Sequence, residues 1–240
     1  PAGPAEPTAR TTPKRCAPGG QQAAVQPVGH EKDRPFARVL PAAKAPVIDG
    51  QIDPDEWGHV ALSGFYDEYS RTPVPESAQT SVWLRYDESN LYIAAKLMEP
   101  HVGNLTAYVR QRDGDVWNDD CFEVFLDPRD RHDAAEYYHL LVNPAGVVCD
   151  LRGAAEVGQG LAWDCSGLRV KASRARQYWA VEMAIPFKSL GVSGPLAGQH
   201  WAANFCRERK PGNAENSTWV DLGTDWEHQP ELFGHIAFQP

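Results

Sequence analysis

Val116-Trp117-Asn118-Asp119-Asp120-Cys121-Phe122-Glu123-Val124-Phe125-Leu126-Asp127-Pro128 is the stretch on which the fold turns. Its second half reads as one strand. Phe122, Val124 and Leu126 alternate with Cys121, Glu123 and Phe125, the period of two that a pleated strand imposes. Pro128 stops it, because proline cannot extend a ladder and restricts the residue before it. A polar loop with one large ring, Trp117, precedes the strand. A ring and a carboxylate, Glu123, therefore lie near one end of one strand. A flat apolar ring beside a strong acceptor suits a sugar, which has C–H faces and a rim of hydroxyls. The plainer reading is that Trp117 packs under its own loop and Glu123 is solvated.

The same alternation recurs on both sides. Thr80–Tyr86 and Leu91–Leu97, joined by the turn Asp87-Glu88-Ser89-Asn90, form a hairpin pattern. Tyr137–Val142 and Val147–Leu151 flank the turn Asn143-Pro144-Ala145-Gly146. Leu168–Ala172, Tyr178–Ile185, His200–Cys206 and Gly234–Phe238 read as further strands, and Ala45–Asp53 as a short strand and turn. Asp53-Pro54-Asp55-Glu56-Trp57 has the signature of one helical turn: Asp53 as N-cap, Pro54 at the first position, Glu56 three residues after the cap. Pro186–Gly191 is a second turn closed by glycine. Arg207–Ser217 reads as a long polar loop. Short strands between Gly, Pro, Asn and Asp turns, with no long amphipathic helix, predict an all-β fold, an antiparallel β-sandwich. Its expected core includes Phe122, Val124, Leu126, Leu140, Val142, Val181 and Ile185.

Residues 1–38 are Pro/Ala-rich and poor in apolar side chains, so they are expected to be a disordered tail or linker, with the module spanning 39–240. The 240 residues carry a net charge of −9 and no Lys/Arg-rich stripe, which argues against nucleic acid as partner. No apolar run reaches the roughly 18 residues of a membrane span. The five cysteines contain no C-x-x-C pair. Cys149 and Cys165 flank a hairpin and could bridge it; buried free thiols are the alternative. No intact signal peptide opens the sequence, so for an exported protein the leader would have been removed.

Taken in order, several pieces resemble the family 9 carbohydrate-binding modules and their DOMON-like relatives. They are Val47-Ile48-Asp49-Gly50 with Asp55-Glu56-Trp57, the hairpin Val82–Tyr86 with Leu91–Ile93, and Asp113–Trp117 leading into Asp120–Pro128. Tyr137–Pro144, Val181–Phe187, Asn204-Phe205-Cys206-Arg207 and Pro230–Phe238 complete the set. The resemblance implies a β-sandwich and non-catalytic binding of mono-, oligo- or polysaccharide. In such a module two tryptophans clamp a glucan or xylan chain end, in polysaccharide degradation. By position it assigns the clamp to Trp117 and Trp219, the carboxylate to Glu123, an amide to Asn216 and a guanidinium to Arg207. It also implies structural calcium, for which Asp127, Asp130 and Asp133 are candidate oxygen ligands; simple solvation is the alternative. It implies no organic cofactor, an extracellular, periplasmic or cell-surface location, and tethering to a larger enzyme or surface.

Two other chemistries compete. Modules of this family are commonly attached to xylanases, and a glycoside hydrolase needs two carboxyl groups about 5–9.5 Å apart. Glu123 could pair with Asp119, Asp120 or Glu208. Some DOMON-like sandwiches hold haem b, which here would draw axial ligands from Met98, Met183, His139 and Lys96.

Overall fold

Strands form where the alternation places apolar side chains on one face. The computed structural model describes residues 34–133, 136–153, 163–210, 215–223 and 227–240. Its strands are β1 (Phe36–Pro41), β2 (Tyr66–Asp67), β3 (Thr80–Tyr86), β4 (Asn90–Met98), β5 (Cys121–Asp127) and β6 (Tyr138–Val142). The remainder are β7 (Val148–Arg152), β8 (Arg169–Arg174), β9 (Tyr178–Pro186), β10 (His200–Arg209), β11 (Glu215–Thr218) and β12 (Gly234–Phe238). The hydrogen-bonded order is β7-β6-β5-β10-β12-β1-β3-β4-β9-β8, with β11 on β10 and β2 on β11. Two layers result. The first runs from β7 to β12, the second from β3 to β8, and β1 belongs to both. Among the described residues no helix is long and apolar enough to cross a membrane.

The all-β architecture follows the alternation closely. All seven expected core residues are fully buried, each such side chain stabilising the fold by about 1.5–3 kcal/mol. They come from β5, β6 and β9 and meet Val82, Leu84, Leu91 and Ile93 of the opposite layer in one core. Every described ladder is antiparallel except those of β1. That strand runs parallel to β12 through Phe36–Val39 and parallel to β3 through Leu40–Pro41. It also starts before Val39, where the module was expected to begin. Ala37 and Val39 already point inward, a two-residue alternation hidden in the sequence by Pro35 and the flanking arginines. The rest of the expected tail, residues 1–33, lies outside the described residues.

Two other segments depart from expectation. Ala45–Asp53 is extended but pairs with no strand. Two of its amides go instead to one buried carboxylate: Glu182 accepts from Asp49 N at 2.9 Å and Gly50 N at 2.7 Å, and also from the indole Nε1 of Trp57 at 2.8 Å. Glu182 is fully buried on the outside of the second layer. Burial raises its pKa, and these donors pull it back. The helical turn Pro54–Trp57 forms with Asp53 accepting from Asp55 N, while Glu56 accepts from Val47 N. Trp57 is thereby pinned against Tyr92, Ala94 and Ala184. The second departure is Arg207–Ser217. Arg207, Glu208 and Arg209 extend β10, and Glu215–Thr218 returns beside it as β11.

Candidate functional site

The register of the first layer decides which side chains meet. On β10, Cys206 lies opposite Glu123 of β5 and Thr218 of β11, while Glu208 lies opposite Cys121 and Asn216. On β6, Leu141 lies opposite Glu123 and His139 opposite Phe125. These residues share the face turned away from the sandwich core. Glu123, Glu208, Asn216 and His139 therefore form a polar band across the outside of the sheet. The segment at Glu227 and His228 folds over one end of it, where Phe125 stacks on His139 at 4.0 Å and meets His228 edge-on at 5.5 Å. Tyr137 hydrogen-bonds His228 Nδ1 there.

The band is polar yet largely closed to water. Glu123 is 4% exposed. It takes a 2.7 Å hydrogen bond with His139 Nε2, and Cys121 Sγ lies 3.6 Å from its other oxygen. Burial pushes Glu123 up to about 7 and His139 down to about 3, so both neutral forms are favoured. The neighbouring carboxyls move the same way. Glu68 is driven up to about 10 by burial and then by Glu227 and Glu123, and Glu227 to about 7 by burial and then by Glu123. Glu208 is raised by burial and by Glu123, although Lys210 Nζ at 2.6 Å and Asn216 Nδ2 at 2.8 Å both donate to it. Carboxyls held near neutrality both donate and accept hydrogen bonds, and hydroxyl groups need both. His139 Nδ1 is buried and unpartnered among the described residues.

Trp117 borders this face. It sits on the one-turn 3-10 segment Val116–Asn118 and packs, half-exposed, on the outer cluster of Val116, Cys121, Leu141 and Cys149. Two buried aspartates pin its loop. Asp119 accepts from Tyr108 N, Val109 N and Asn143 Nδ2 at 2.7–2.9 Å. Asp120 accepts from Thr106 N, Thr106 Oγ1 and Lys210 N. The two aspartates weighed as partners of Glu123 in hydrolysis thus have their oxygens committed to holding the loop. Of the three weighed, Glu208 alone is registered on Glu123's face.

Two residues assigned by position lie elsewhere. Trp219 is 6% exposed and belongs to the inner core, its ring edge-on to Phe205 at 5.8 Å. It fills the space where β11 ends and β12 begins. A Cβ on Gly234 would come within 2.9 Å of that ring, so only glycine admits it. The reason is parity. Asn216 and Trp219 are three apart, and an extended chain turns residues at odd spacing to opposite faces. Arg207 obeys the same rule. It is registered with Phe122, not Glu123. It is 1% exposed and donates to Ala78 O at 2.7 Å, Met98 O at 2.9 Å and Glu99 Oε2 at 3.3 Å. Burial lowers it to about 10, with Glu99 opposing. Sequence reasoning missed Glu68, Glu227 and His228, which reach the face from segments with no periodic signal, and it gave Tyr137 a strand position but no place in the site. It also missed Tyr108, 83% exposed on the Trp117 loop, and Tyr69, 68% exposed beside Glu68.

The groups weighed for cofactors disperse as well. Met183 is in the core, and His139 is on the outside of the first layer bonded to Glu123. Lys96 caps the Tyr178 ring at 4.5 Å on the outside of the second. The three aspartates weighed for calcium do not gather their oxygens among the described residues. Asp127 is fully buried and accepts from the N–H of Arg129, Arg131 and His132 at 2.7–3.1 Å, closing its own loop. Asp130 faces two imidazoles and Asp133 is exposed. This set does not fit an ion that takes six to eight oxygens. Cys149 and Cys165 are both free and buried, Cys149 in the outer cluster and Cys165 in the main core, so no bridge joins them.

The model of the carbohydrate family 9 binding domain-like family matches residues 48–239. The chain belongs to this family. Solved family 9 modules share its fold. One from Caldicellulosiruptor kristjanssonii in complex with cellotriose aligns at TM-score 0.62 with 20% identity, over 84% of this chain and 93% of that one. A second structure of a family 9 module from that organism, in complex with glucose, gives TM-score 0.60 and 20% identity over 84% and 95%. A candidate carbohydrate-binding protein from Bacteroides uniformis gives TM-score 0.66 and 19% identity over 85% and 99%. No curated protein matches this chain. At these identities the likeness to the solved structures is one of fold.

Proposed function

We propose that this family 9 domain binds sugar on the outer face of its first layer. The observation that carries the reading is the polar band on the outside of a sheet, with Glu123 and His139 buried, Glu208 and Asn216 partly exposed beside them, and the half-exposed ring of Trp117 at its border. A pyranose laid on Trp117 exchanges water for an aromatic face, a stack that contributes about 0.5–1.5 kcal/mol beyond area burial. Its hydroxyls then reach groups able to give and take protons. A glucan- or xylan-type chain end in polysaccharide degradation suits a face closed at one end by the His228 segment.

In this reading the buried Trp219 does not supply the second wall. Tyr108 and Tyr69, both exposed, are the candidates for the ring on the opposite sugar face, and alanine variants of each test which serves. Calorimetric titration with glucose, cellotriose and xylo-oligosaccharides tests the whole reading. Trp117→Ala is expected to abolish measurable binding with the fold intact. Glu123→Gln and Asn216→Ala are expected to weaken it by about 1–3 kcal/mol, the scale of a hydrogen bond to a charged or buried group. Sugar affinity unchanged in Trp117→Ala would move the site off this face.

A further inference from the structure

We propose that Asp130, His132 and His235 form a binding site for a divalent transition metal of the zinc type. They tie the loop after β5 to strand β12, on the outer face of the first layer at its Asp127 end, four residues along β5 from Glu123. Asp130 Oδ1 lies 3.2 Å from His132 Nε2 and 3.5 Å from His235 Nε2, and all three atoms fall within 4.8 Å of one another. Zinc–nitrogen and zinc–oxygen bonds of about 2.0–2.2 Å in a tetrahedron separate ligand atoms by roughly 3.3–3.6 Å. The two measured separations sit at that spacing, with the third edge left to close.

The protonation pattern points the same way. His132 Nδ1 lies 2.9 Å from Pro230 O. A carbonyl can only accept, so Nδ1 carries the proton and a neutral ring turns its Nε2 lone pair toward Asp130. A lone pair and a carboxylate oxygen 3.2 Å apart repel unless a metal cation or a proton lies between them. A proton would serve, but it would make Nε2–H a donor to Asp130. Yet Asp130 Oδ1 is buried and receives no hydrogen bond from the described residues. A backbone carbonyl holding the far nitrogen of an imidazole is how metal-ligating histidines are oriented.

The backbone agrees. Asp130 and His132 adopt φ of +50° and +57°, a left-handed conformation that costs free energy for non-glycine residues. The result is that both side chains turn to the same point, while Asp127 closes the loop beneath them through the N–H of Arg131 and His132. Two imidazoles and one carboxylate favour a nitrogen-preferring metal over calcium. Three protein ligands leave the fourth position to water or to a group from another molecule.

The test uses the full chain, freed of metal with a chelator and titrated with zinc chloride in a calorimeter, with calcium chloride as contrast. Wild type is expected to bind one more zinc ion than His235→Gln, and to show a rise in melting temperature with zinc that His132→Gln and His235→Gln lack. Loss of one ligand should weaken the site by at least about 10–100-fold, a loss that outer-shell partners alone can cause. Zinc taken up elsewhere, by Cys16 for example, is common to all variants and cancels. Equal zinc binding by wild type and both histidine variants would overturn the proposal, as would calcium giving the same rise as zinc. If His235→Gln does not fold, Asp130→Asn replaces it with the same reading.

Discussion

At the scale of single residues, side-chain direction separates fold from function. Trp219 is abundant ring area buried against Phe205 and Gly234. Trp219→Ala should therefore lower stability by about 3–5 kcal/mol, the usual cost of emptying an aromatic core site. Denaturant unfolding measures this, and a variant as stable as wild type that has lost sugar binding would return Trp219 to the binding face. Glu123 makes a second prediction. Its pKa is raised in the fold to about 7 from 4.5, so its contribution to stability is whole below pH 4.5 and is lost as pH climbs through 7. Glu227 and Glu68 carry the same sign. His139, lowered to about 3, has the opposite sign: its contribution is present above pH 6.5 and is lost as pH falls toward 3. Stability should peak between about pH 4.5 and 6.5 and decline toward pH 8. Glu123→Gln should flatten that decline. A decline of equal slope in the variant would mean that Glu123 is ionised in the fold at no cost.

At the scale of elements, ion pairs join strands that share no ladder. Arg207 and Arg209, from β10, both reach Glu99 at the end of β4, Arg209 Nε at 2.7 Å. All three side chains are buried or nearly so. The link spans from one layer to the other. Removing one partner strands a buried charge, so Arg207→Ala should cost about 3–5 kcal/mol, read by chemical denaturation. Replacing Arg207 with Met and Glu99 with Leu together should cost less than the sum of the two single losses; additive losses would refute the coupling. The sequence hid this. Arg207-Glu208-Arg209 reads as the start of a polar loop because the partner lies 108 residues away. The strands Cys121–Asp127, Thr80–Tyr86 and Tyr178–Pro186 were legible because their alternation is apolar on the inner face. The loop that carries Trp117 and the strand that carries Glu123 were legible as consecutive segments, because a polar run gives way there to an apolar alternation. The positional pairing of Asn216 with Trp219 was not reliable, because an odd spacing in an extended segment cannot put both on one side.

At the scale of the whole molecule, the sandwich was readable and its closure was not. Turn residues and strand periods announce two layers. Nothing local announces a strand that serves both, because the residues of β1 differ from a linker only in Ala37 and Val39. Parallel pairing is equally silent, since it depends on partners near residues 85 and 235. The consequence is mechanical. β1 and β12 run in the same direction, so the entry of β1 and the exit of β12 lie at opposite ends of one ladder. Opposed pulls on the segments before Phe36 and after Phe238 would load the bonds between the two strands together, in shear, rather than unzipping them one at a time. Resistance to such a pull is set by the rate of unfolding rather than by equilibrium stability. The geometry places that resistance in the strand that joins the two layers.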